Sequence, residues 1–189
     1  MNELQFLRNQ LGLEDRHFED VRRVCEAGIA AGFEQTRLDE LCRTGVRYLC
    51  VVGERIGQRE HAHVALLRAR LAPDDAPSRG IVSELESAAR ARGLVLAALA
   101  RALEHRRADE LSAVEFLATC REQFAALDAP HTRRPHMIGH LLDRHYRMAD
   151  WRHAAHIDAD TILDERERYG RVRAKLPRSL ELGSGGPAR

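Results

Sequence analysis

The stretch from Leu38 to Leu71 constrains this chain more than any other. Leu38, Leu41 or Cys42, Leu49, Val52, Ile56, Leu67 and Leu71 recur in multiples of three- and four-residue steps. That is the spacing of one buried stripe on a long α-helix. The run stops at "APDDAP", Ala72 to Pro77, where two prolines and two aspartates make a turn. No alternating strand bounded by hairpin turns competes with this reading.

The same period recurs on both sides. It predicts a first helix from about Asp15 to Ala31, burying Val21, Val24 or Cys25, and Ile29, and ended by Gly32. Thr36 and Asp39 resemble a capping box at the start of the second helix. Ser78 is a candidate cap for a third helix to about Arg106, with Ile81, Leu85, Ala88, Val95, Leu99 and Leu103 on one face. Ser112 and Glu115 form a capping box for a fourth, burying Val114, Leu117, Cys120, Phe124 and Leu127. Pro130 and Pro135 then break the ladder. Helix resumes from about His136 to Tyr146, and a last amphipathic helix covers Trp151 to Ala174. The expected fold is all-α: an antiparallel up-down four-helix bundle with an extra C-terminal helix. Residues 1–173 are read as one domain, and the Gly/Pro/Ser-rich 174–189 as a disordered tail.

Composition narrows the function classes. The 189 residues carry a formal net charge of +1 and 5% aromatics. There is neither a global field toward nucleic acid nor a supply of stacking rings, and no helix-turn-helix signal is present. The N-terminus "MNELQFLRNQ" has no signal-peptide apolar region, and no apolar run is long enough to span a membrane. The chain is therefore read as cytoplasmic, with no nucleic acid or membrane partner. Cys25, Cys42, Cys50 and Cys120 form no C-x-x-C pair and read as reduced core thiols. No nucleophile elbow or phosphate loop occurs, and enzymatic activity is not expected.

The informative residues are polar ones on buried stripes. Steps of three and four from Val52 and Ile56 lead to Glu60 and His63 before reaching Leu67. A buried carboxylate needs a cation, and Glu-x-x-His on one face is the spacing of bundle dimetal sites. Arg92, inward between Ala88 and Val95, offers a different partner for Glu60. His17, one turn before Val21, is a further inward candidate. His131, His136, His140 and His145 cluster in sequence, but in three backbone settings that do not guarantee convergence. If Leu141 and Leu142 face the core, His140 lies at the edge and His145 inside. His61, His105, His153 and His156 read as solvated or edge residues.

The order of features over residues 36–170 resembles the hemerythrin-like, HHE cation-binding family of four-helix bundles. The segments that carry the likeness are "ERIGQREHAHVALL", "PDDAPSRGIVSELESAARARGLV", "CREQFAALD", "HLLDRHYRMADW" and "IDADTILDERERYGRV". The resemblance implies a diiron centre, yet most ligand positions are changed. The second-helix His falls on Ile56, and its partner Glu is kept as Glu60. The third-helix His falls on Ala88, and the fourth-helix His on Gln123 with its acid at Leu127 or Asp128. The first-helix His falls on His17, or on Phe18 in the neighbouring register. The leading expectation is a degenerate hemerythrin-like module without the usual diiron site and without a cofactor, acting through binding or regulation and an unidentified protein partner. The rival expectation is an iron protein with a rearranged set of Glu60, His63 and His17, in oxygen or nitric oxide sensing or oxidation.

Overall fold

The computed structural model describes residues 2–129, 138–155 and 159–176. Among the described residues the chain is all-helical, with no strand. The helices are α1 (Glu3–Ala30), α2 (Gln35–Arg70), α3 (Ala76–Arg107), α4 (Ala113–Asp128), α5 (Ile138–His145), α6 (Met148–Ala154) and α7 (Ala159–Ala174). No helix among them is long and apolar enough to cross a membrane.

Several boundaries differ from the sequence expectation, each for a local reason. α1 starts at Glu3 rather than near Asp15, because Asn2 caps it by accepting from the Gln5 amide at 2.8 Å. Leu4, Leu7 and Leu11 also extend the apolar stripe upstream, and all three pack in the core. Gly32, at φ +64, ends the helix as expected. The capping box expected at Thr36 and Asp39 does not form. Glu34 is the N-cap without a side-chain bond, and Asp39 is turned inward to Arg106, 3.0 Å away. α3 is capped by Asp75, which accepts from the Ser78 amide, and not by Ser78 itself. The Ser112–Glu115 box is present, with the Ser112 amide 2.9 Å from the Glu115 carboxylate. Ser112→Ala is expected to cost about 1 kcal/mol, read from the urea midpoint.

Two other expectations need correction. Val114 is 62% exposed, and fully buried Phe116 takes its place, because Val114 sits on the outer side of the first turn. The single last helix is two helices: α6 ends at Ala154 and α7 begins at Ala159. Pro130 to Met137 and His156 to Asp158 lie outside the described residues, and so do His131 and His136 of the histidine cluster. Of the stretch read as a tail, Ala174 closes α7, Lys175 pairs with Glu40 and Leu176 is buried; 177–189 lie outside the described residues.

α1 runs antiparallel to α2, and α2 to α3. Along α1 and α2, Gly28 meets Leu41, Cys25 meets Gly45, and Phe18 meets Gly53. Along α2 and α3, Arg106 pairs with Asp39, Leu96 meets Gly53, Arg92 pairs with Glu60, and Arg68 pairs with Glu86. The apolar interior falls into two clusters. One holds Phe18, Tyr48, Val52, Ile56, Phe116 and Phe124; the other holds Leu11, Val64, Leu67, Leu85, Leu142 and Trp151.

The helix contacts predict opposite signs for one substitution. A Cβ on Gly45 would lie 2.4 Å from the Cys25 sulfur, whereas one on Gly57 or Gly93 meets nothing within 4 Å. Gly45→Ala should lose about 1–3 kcal/mol through overpacking. Gly57→Ala and Gly93→Ala should each gain up to about 1 kcal/mol from helix propensity. Urea unfolding of the three variants checks the contrast; a stabilised Gly45→Ala would mean that α1 and α2 are less closely apposed.

Candidate functional site

A polar belt separates the two apolar clusters. On α1, Glu14 lies between Leu11 of one cluster and Phe18 of the other. On α2, Arg59, Glu60 and His63 stand between Ile56 and Val64. On α3, Arg92 stands between Leu85 and Val95. Glu14, Arg59, Glu60 and His63 are all buried. Their polar atoms therefore need partners inside the protein.

Glu60 is 1% exposed and receives the Arg92 guanidinium at 2.6 Å. This is the pairing that the inward position of Arg92 foretold. His63, one turn on, points elsewhere: its Nδ1 is hydrogen-bonded to the Tyr146 hydroxyl, and the two rings are 5.4 Å apart. Burial holds the Tyr146 phenol well above its ordinary range. Tyr146 in turn packs edge-on against Trp151, whose helix is anchored by Arg70 binding Asp150 at 2.6 and 3.0 Å.

His17 joins neither. It stacks on Tyr169 of α7, with ring centroids 4.2 Å apart and planes at 16°, and its Nδ1 is 3.6 Å from the Glu165 carboxylate. Phe18, rather than His17, occupies the inward register and joins the apolar cluster. Glu60 thus binds Arg92, His63 binds Tyr146, and His17 meets Tyr169 and Glu165. Among the described residues no group of three or more His, Cys, Asp or Glu side chains is gathered so as to hold a metal ion. At the other family ligand positions, Ile56 and Ala88 are buried apolar side chains, Gln123 is half-buried, Leu127 is buried, and Asp128 is 3.3 Å from Arg22. His61 and His140 are exposed, His105 pairs with Glu110, and His145 is half-buried beside buried Leu141 and Leu142.

Sequence reasoning missed the larger polar network. Glu14 is 3% exposed and accepts from Arg55 at 2.7 Å and from Arg59. Arg59 also reaches Asp15 at 3.0 Å. Arg55 then bridges to Glu165 on α7, which accepts from the Tyr48 hydroxyl at 3.2 Å. Burial, with Glu165 alongside, drives the Tyr48 phenol far above its ordinary range. Tyr169 donates to Asp20, and burial pushes its phenol up to about 12. The signal was present on the stripes. Glu14 continues Leu11 toward Phe18, and Glu165 precedes Tyr169, Val172 and Leu176 at helical steps.

Three thiols also meet in the interior. Cys25, Cys42 and Cys120 come from α1, α2 and α4, and none is exposed. Thiol hydrogen bonding to Cys42, with burial added, raises Cys25 and Cys120, and the same contacts draw Cys42 down to about 5. Cys50 is half-buried, its thiol faces the Leu96 carbonyl at 3.7 Å, and burial pushes it up to about 11. Access and thiolate supply together set reactivity. In native protein at pH 8, iodoacetamide should spare the three core thiols and label Cys50 slowly. That labelling should speed up about tenfold per pH unit until the thiol titrates. Peptide mapping reads the result; rapid labelling of Cys25 would contradict the closed core.

Comparison with protein families, with curated proteins and with solved structures gives no match for this chain.

Proposed function

We propose that the chain is a hemerythrin-like antiparallel four-helix bundle, with α1 to α4 as its core and a C-terminal addition. In this reading an internal ion pair stands where the family carries iron. The module works by binding or regulation rather than catalysis. The observation that carries the reading is the Glu60–Arg92 contact at 2.6 Å. A guanidinium balances the family carboxylate kept at Glu60, which removes the electrostatic need for a cation there. Ile56 and Ala88 fill the neighbouring positions with apolar atoms.

Metal analysis of protein purified without a tag tests this. The expected result is no stoichiometric iron, before or after incubation with ferrous salt under anaerobic conditions. Stoichiometric iron with an oxo-to-iron absorption band would overturn the reading. So would iron that is lost in Glu60→Ala and His63→Ala, which would favour the rearranged site.

A further inference from the structure

Between α1 and α7 lies an open groove of about 410 Å³, a volume in the usual range for small-ligand sites. Its walls are largely apolar, with Asn9 and Gln10 of α1 between them. Phe6 and Leu13 on α1 and Ile162 on α7 line it, and Phe6 and Leu13 are 54% and 40% exposed. Phe6 and Leu13 stand two helical turns apart, about 10 Å along the axis. Its polar end is built from His17, Arg16 and Arg166.

The charges at that end are unequally committed. Glu14 and Glu165 reach the groove, but both are engaged from behind: Glu14 by Arg55 and Arg59, Glu165 by Arg55 and Tyr48. Arg16 and Arg166 make no hydrogen bond or ion pair among the described residues, and both are exposed at the rim. An apolar trough ending in two uncommitted guanidiniums suits a molecule with an apolar body and an anionic head.

We propose that this groove binds a small amphipathic anion, a carboxylate or sulfonate whose apolar tail lies along Phe6, Leu13 and Ile162 and whose head meets Arg16 and Arg166. The inference deepens the reading of the chain as a binding module and rests on it, since it names the ligand class of such a module.

Decanoate, decyltrimethylammonium and decanol serve as probes, each titrated by displacement of anilinonaphthalene sulfonate fluorescence. Decanoate should bind saturably and at least tenfold more tightly than the cationic and neutral probes. The Arg16→Glu/Arg166→Glu double variant should erase that preference while keeping the helical circular dichroism, because both side chains are exposed. Leu13→Asp should weaken all three probes. No saturable decanoate binding, equal binding of the cation, or an undiminished preference in the double variant would each overturn the inference. Iron content measured on the same preparation separates the two failures. Iron-free protein that ignores decanoate defeats only the groove, whereas stoichiometric iron defeats the module reading itself.

Discussion

Arg92→Met is expected to destabilise the protein by about 3–5 kcal/mol, enough to lower the melting temperature by roughly 10 °C in a chain of this size. The Glu60 carboxylate is 1% exposed, and its ion-pair partner is the guanidinium that stands 2.6 Å from it. The cost is the desolvation of a charge without its cation. The companion Glu60→Leu/Arg92→Met variant should recover most of the loss, because apolar side chains of similar volume commonly replace a buried pair without penalty. Glu60→Gln should fall between the two. Urea unfolding of the three variants and the parent closes a double-mutant cycle. A loss under about 1 kcal/mol for Arg92→Met, the size of a surface pair, would show that Glu60 does not depend on this arginine.

Arg55→Met is the second large effect, at about 3 kcal/mol near neutral pH. Arg55 lies between Glu14 and Glu165, which are 3% and 8% exposed, and it holds one carboxylate on each side. Its own side chain is 23% exposed, which places the loss at the lower end of the range for buried pairs. Without it, two like charges face one another, with Arg59 still at Glu14 and His17 at Glu165. Urea unfolding of the variant and the parent reads the loss. A loss under about 1 kcal/mol, the size of a surface pair, would show that the two carboxylates do not depend on Arg55.

The helical periods were legible because apolar stripes state their own spacing. Leu38 to Leu71 marked α2, the Ser112 and Glu115 pair marked the start of α4, and Gly32 marked the end of α1. The Glu60–Arg92 contact was legible too, since both residues interrupt a stripe on neighbouring helices. The first fourteen residues were not, because Asn2 caps α1 far upstream of the first dense apolar run. The Glu14–Arg55–Glu165 network was hidden for another reason. Its members are 41 and 110 residues apart, and only tertiary packing brings them together. His17 illustrates the same limit: helical spacing allowed an inward position, but the ring partner that decides its place is Tyr169.

The contacts of α6 and α7 have a consequence for the order of assembly. Arg152 binds Glu3 across 149 residues of chain, and Tyr169 binds Asp20 across the same separation. During synthesis α1 and α2 emerge before α7 and can already join Glu14 to Arg55. The Tyr48 hydroxyl and the second face of Arg55 must wait for Glu165. Without α7, Arg55 and the Tyr48 hydroxyl lack the Glu165 carboxylate that both bind in the folded chain. Contacts that span 149 residues therefore form only after all the intervening helices have been made, and each closes a long loop of chain.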